Sequence, residues 1–146
     1  MTFDHAATSR MASKARAFIV QEPLHMVNGA AVPRIGYHTI TPYGNIQFLF
    51  TWSEIKNDSA FSDTERYLVR MHETMRDFSD ADYLVPLGNP ALCAMAVLVA
   101  AEVNQGRVKM LDWIRDERRY RVVQIDLGQL DDALDEADAS AAGHTI

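Results

Sequence analysis

A chain of 146 residues, 48% of them apolar, is long enough to bury the core of one domain and too apolar to be disordered throughout. A single cysteine, Cys93, permits no internal disulfide and no thiolate zinc cluster, which fits a reducing, cytoplasmic setting. The net charge of −6 has one origin: the 14 lysines and arginines balance the acids up to Ile125, and the excess is Asp126, Asp131, Asp132, Asp135, Glu136 and Asp138, an acidic tail on a neutral body.

Residues 1–14 have no periodicity and read as a mobile N-terminus; no long apolar run precedes Phe18, so no secretory signal is expected. Ala17–Glu22 and Leu24–Val27 have strand character on either side of Pro23, which marks an edge or bend. Asn28-Gly29 is a hairpin signal, because both positions tolerate positive φ. Arg34–Thr41 and Asn45–Trp52 then flank the turn Thr41-Pro42-Tyr43-Gly44. In the second of these Ile46, Phe48, Phe50 and Trp52 share a face, the pattern of a half-buried antiparallel strand.

Ser53–Phe61 is polar and reads as a loop. Ser62-Asp63-Thr64-Glu65 has the capping-box pattern and opens a helix to about Phe78, with Tyr67, Leu68, Met71, Met75 and Phe78 as its apolar stripe. Tyr83–Leu87 is a short strand closed by Gly88-Asn89-Pro90, an N-cap followed by proline in the first turn of an alanine-rich helix, Ala91 to Asn104. This helix is apolar on nearly every side, so neighbours are expected all round it. Its apolar run is too short to cross a bilayer, and no membrane contact is expected. Val108–Ile114 and Arg119–Leu127 follow as a hairpin about Asp116-Glu117, with Ile114 opposite Arg119 and Asp112 opposite Arg121. Residues 128–146 form an acidic tail, weakly helical through Leu127, Leu130 and Leu134 or disordered.

The expected fold is α+β: a single compact domain over residues 15–127, with a mixed sheet of five or six strands and two main helices. It ends in a βαβ-hairpin unit whose Tyr83 and Val108 strands are parallel neighbours across a right-handed crossover.

Three places carry candidate chemistry. The hairpin face with Arg107, Lys109, Trp113 and Tyr120 mixes aromatic and basic side chains, the composition of a protein-partner anchor. Its plainer reading is a sheet face covered by the N-terminal strands or a loop. The helix start at Gly88 and Asn89, with Arg119 and Arg121, is an alternative site for a small ligand or nucleotide. Neither G-x-G-x-x-G nor G-K-[ST] is present, and the cap and proline occupy donors that an anion would use. Lys109, Arg119, Arg121 and Trp113 suit single-stranded nucleic acid in type, without a continuous basic stripe.

Catalysis finds no support. The histidines have no metal-ligand spacing, and no metal or cofactor is implied. His38 alternates with Tyr37 and Thr39 and can face a cleft, but lacks an identifiable partner. Cys93 stands where a helix dipole lowers a thiol pKa, yet a small buried cysteine is the commoner case. The balance points to a non-enzymatic binding protein that acts through protein contacts and self-association.

The block Asp82-Tyr83-Leu84-Val85-Pro86-Leu87-Gly88-Asn89-Pro90, the alanine-rich helix, Lys109-Met110-Leu111-Asp112-Trp113 and Val123-Gln124-Ile125-Asp126-Leu127 resemble small accessory proteins of tailed bacteriophages. The resemblance covers Asp82–Leu127. It implies a virus-encoded accessory protein acting in the host cytoplasm and supplies no catalytic residues.

Overall fold

A computed structural model describes residues 15–56 and 64–142. The expectations for residues 1–14, for most of the loop before the second helix, and for Ser62 and Asp63 of the capping box lie outside the described residues. Strands β1 (Arg16–Gln21), β4 (Asn45–Phe50), β5 (Tyr83–Val85), β6 (Arg107–Ile114) and β7 (Arg119–Asp126) form a sheet of order β4-β1-β5-β6-β7. The hairpin β2 (Leu24–Val27) and β3 (Ala30–Pro33) is a separate two-stranded sheet, turning at Asn28 and Gly29 with φ of 51° and 81°. The helices are α1 (Trp52–Lys56), α2 (Thr64–Thr74), α3 (Pro90–Val103) and α4 (Leu127–Ala142). The α+β class, the mixed five-stranded sheet and the crossover from β5 through α3 to parallel β6 are as the sequence predicts.

One side of the sheet is helical. Phe18, Val20, Leu84 and Val108 pack against Tyr67, Met71, Met75 and Phe78 of the α2 region and Leu92 and Ala96 of α3. On the other side Ala17, Ile19, Val85, Leu111 and Tyr120 are roofed by residues 35–43, with Ile40 fully buried. Strand β1 is therefore buried on both faces.

Two expectations are corrected here. Arg34–Thr41 is not a strand: it folds as two 3-10 turns, Tyr37–Thr39 and Thr41–Tyr43, because Ile40 has to reach down onto an otherwise open sheet face. In turn β4 does not pair back on it as an antiparallel strand. It lies parallel to β1, with Ile19 beside Phe48, and the alternation fails at its end, where Leu49 and Phe50 are both buried against the helices. Trp52 belongs to α1, not to the strand.

The end of the α2 segment is tied to the start of β1 by a buried carboxylate. Asp82 is 1% exposed and accepts from the Arg16 main-chain N–H (3.0 Å), Arg16 Nε (3.2 Å) and Nη2 (2.9 Å), and the Ser79 N–H (2.9 Å). A charge so placed needs this full set of donors.

Candidate functional site

The β6–β7 hairpin has the register that its sequence predicts: Ile114 faces Arg119, Trp113 faces Tyr120 and Asp112 faces Arg121, the last pair joined by a 2.8 Å ion pair. Its helix-facing side is covered by α3, and segment 35–43 covers much of the other. Leu111 and Tyr120 are buried there, while Trp113, its ring 4.9 Å from that of Tyr120, stays 41% exposed. Arg107 and Lys109 stand toward the opposite end of β6, about 20 Å and about 13 Å from Trp113 at the rise of an extended strand. Arg107 Nε pairs with Asp80 at 3.0 Å, and the Lys109 ammonium lies 4.3 Å above the Tyr83 ring. The four residues therefore do not form one patch, and only Trp113 offers a large aromatic surface.

At the helix start, Asn89 Oδ1 accepts from the N–H groups of Ala91 (2.8 Å) and Leu92 (3.4 Å), and Gln21 Oε1 accepts from Asn89 N–H (3.0 Å). Gly88 has φ +123°, and a Cβ there would meet the Gln21 Cβ at 2.5 Å, so the close approach of β5 to β1 requires glycine. Arg119 and Arg121 are held by Glu117 (2.6 Å) and Asp112 (2.8 Å) within the hairpin. They do not line the cavity at Gly88.

The chain connections create a different constellation. Strands β1 and β5 are neighbours, yet the chain leaves β1 toward the roofed face and leaves β5 toward the helical face. Such a parting at the carboxyl ends of parallel strands opens a crevice, the usual ligand position in open α/β sheets. Two adjoining cavities lie there and share Arg34, Ile35 and Leu87. One, of about 450 Å³, reaches Gln21, Glu22, Trp52 and Asn89. The other, of about 490 Å³, runs past His38 and Arg118 to Trp113 and Tyr120. Glu22 Oε1 accepts from the Trp52 N–H at 2.9 Å and so caps α1. His38 does face a cleft, but from the 3-10 turn Tyr37–Thr39 and not from the strand that its context suggested. Arg34, Arg118 and Gln21 carry no signal in the sequence, since they come from two separate loops and the end of β1, and only the topology brings them to one crevice.

Cys93 is half-buried, and burial pushes its thiol up from the usual range, the reverse of an activated nucleophile. Among the described residues no three His, Cys, Asp or Glu side chains group as metal ligands, and no helix is long and apolar enough to cross a membrane. Helix α4 leaves the end of β7 with no buried residue, and Leu127, Leu130 and Leu134 are 47%, 50% and 53% exposed.

A comparison with protein-family models matches residues 15–127 to the phage Pam3 gp32-like proteins. The chain belongs to that family. The match includes the resemblance seen at Asp82–Leu127 and extends it through the N-terminal strands. Comparisons with curated proteins and with solved structures find no match. The described residues that line the carboxyl-edge crevice all lie inside the gp32-like region, whereas α4 starts at its last matched position, Leu127. Two kinds of surface thus coexist: a crevice built by the gp32-like fold and an acidic helix appended to it.

Proposed function

We propose that this phage accessory protein works in the host cytoplasm by holding another protein rather than by catalysing a reaction, and that α4 is its docking element. The observation behind this reading is the open apolar seam of α4. Its leucines sit at i, i+3 and i+7 (Leu127, Leu130, Leu134), and Ala137 and Ala141 continue the same 3–4 spacing. A helix of this length has little stability of its own in water and normally gains it by packing an apolar face. Helices of this kind lay such a seam into a groove of a partner.

The charge indicates what the groove is like. Between Leu127 and Ala142 there are five carboxylates and no lysine or arginine. Two copies of α4 side by side would bring like charges together with nothing to offset them, which disfavours self-pairing through this helix. A groove edged by lysine and arginine fits, and pairing of complementary charge speeds encounter and lowers the affinity for wrong partners.

The test compares the full-length protein with its L130D/L134D variant, each immobilised and exposed to an extract of phage-infected cells. The expected result is one stoichiometric partner retained by the wild type alone, displaced by a synthetic peptide of residues 127–142 and weakened by salt. Retention of the same partner by the variant would overturn the proposal. So would light scattering that shows a dimer lost in the variant, because the occupant would then be a second copy.

A further inference from the structure

We propose that the cavity between segment 34–39 and the tip of the β6–β7 hairpin binds a phosphate-bearing ligand with a flat ring, of the nucleoside monophosphate class. It is independent of α4, which contributes nothing to this cavity.

The first support is position. The cavity lies beyond the carboxyl ends of parallel β5 and β6, beside the point where the connections from β1 and β5 part to opposite faces. The second is size and lining. About 490 Å³ is in the range of small-molecule sites, and the floor is apolar, made by Ile35, Leu87, Trp113 and Tyr120. Trp113 rests edge-on against buried Tyr120, which fixes its ring while two-fifths of its surface stays open for stacking.

The third support is charge. Arg34, His38 and Arg118 line the cavity, and among the described residues no carboxylate does. Elsewhere in the domain Arg16, Arg70, Arg107, Arg119 and Arg121 each pair with an acid, while exposed Arg76 and Arg115 have no ion pair among the described residues and line neither crevice cavity. Neither Arg34 nor Arg118 has an ion-pair partner among the described residues. Paired guanidinium groups on a phosphate make strong, directional hydrogen bonds. The start of α3 is a poorer seat for the phosphate, since Asn89 satisfies the Ala91 and Leu92 donors and Pro90 has none. The geometry therefore assigns the phosphate to the arginines and the ring to Trp113.

Titration calorimetry on the full chain tests this with inorganic phosphate, a panel of nucleoside monophosphates, and 5′-phosphorylated and 5′-hydroxyl oligothymidylate. At least one nucleotide is expected to bind about tenfold or more tightly than phosphate alone, that is by about 1.4 kcal/mol. The double variant R34A/R118A should lose at least that factor with its unliganded melting temperature unchanged, as neither side chain has an ion-pair partner to lose among the described residues. Trp113→Leu should bring the nucleotide down to the level of phosphate. Binding of the mononucleotides assigns a free ligand, and binding of the phosphorylated oligomer alone assigns a strand end; either supports the site. No binding by any member of the panel overturns it, as does binding that R34A/R118A leaves intact. Preferential capture of an acidic peptide, such as residues 127–142, would also overturn it. The L130D/L134D protein should bind ligand as the wild type does, so failure here leaves the α4 proposal standing.

Discussion

Replacing Asp82 by alanine should destabilise the domain by about 3–4 kcal/mol, near the lower end of what breaking a buried ion pair costs. The Arg16 and Ser79 main-chain N–H groups, 3.0 and 2.9 Å from the carboxylate, lose their acceptor, at about 1 kcal/mol or more each. The guanidinium of Arg16 is only 24% exposed and loses two charge-assisted bonds, worth about 1.5–3 kcal/mol together. It keeps Asp77, whose 3.1 Å contact offsets little because that carboxylate is 77% exposed. For a domain of this size the loss corresponds to a fall in melting temperature of about 10 °C. Asp82→Asn keeps one acceptor oxygen but turns an amide toward donors, so an intermediate loss of about 2 kcal/mol is expected. Urea denaturation followed by circular dichroism gives the values, and the Arg16→Ala/Asp82→Ala cycle gives the coupling, expected to exceed about 1 kcal/mol. A loss below about 1 kcal/mol for Asp82→Ala, or an additive cycle, would refute the view that this carboxylate pins α2 to β1.

Gly88→Ala should cost about 2 kcal/mol, from the positive φ and the clash with Gln21, against about 1 kcal/mol for Asn89→Ala, which removes the cap alone. Equal losses in thermal melts would contradict the close packing assigned to Gly88. Cys93, its thiol pushed up by burial, should react slowly with a disulfide reagent at neutral pH and rapidly in urea; a fast native reaction would contradict its burial. The Asp80 carboxyl is held below the usual range by hydrogen bonds from Arg107 and then Asn104. Its contribution to stability is complete above the ordinary carboxylate pKa and is lost as pH falls through the depressed one. NMR titration should find Asp80 moved up toward the ordinary range in Arg107→Ala, with the Asn104 bond still holding it down in part, and no change would dismiss the pair.

What could be read from the sequence was what depends on near neighbours. The β6–β7 register follows from a short charged turn and facing residues within one hairpin, and the α3 start follows from Asn89-Pro90. The stripe from Tyr67 to Phe78 repeats at helical spacing and is buried as that spacing implies. The partnership of β1 with β4 was not legible, because alternation in Ile46–Phe50 suits a parallel neighbour as well as an antiparallel one. Pro42 and Gly44 announced a turn but not that the chain leading into it would cover a sheet face. The crevice was hidden for the same reason: Gln21 in one cavity, Arg118 in the other and Arg34 in both come to one edge only because two crossovers take opposite sides of the sheet.

The position of β1 also sets a timetable for biosynthesis. This strand is buried on both faces and needs β5 beside it, a partner 66 residues further along the chain. At about 5–20 residues per second, β1 waits on the order of several seconds outside or within the ribosome before that partner exists. During this interval Ala17-Phe18-Ile19-Val20 is an apolar, strand-forming segment with β4 on one side only and its other edge open, the kind that pairs with other chains. The open edge of β1 is thus a demand of synthesis, met before any feature of the finished domain exists.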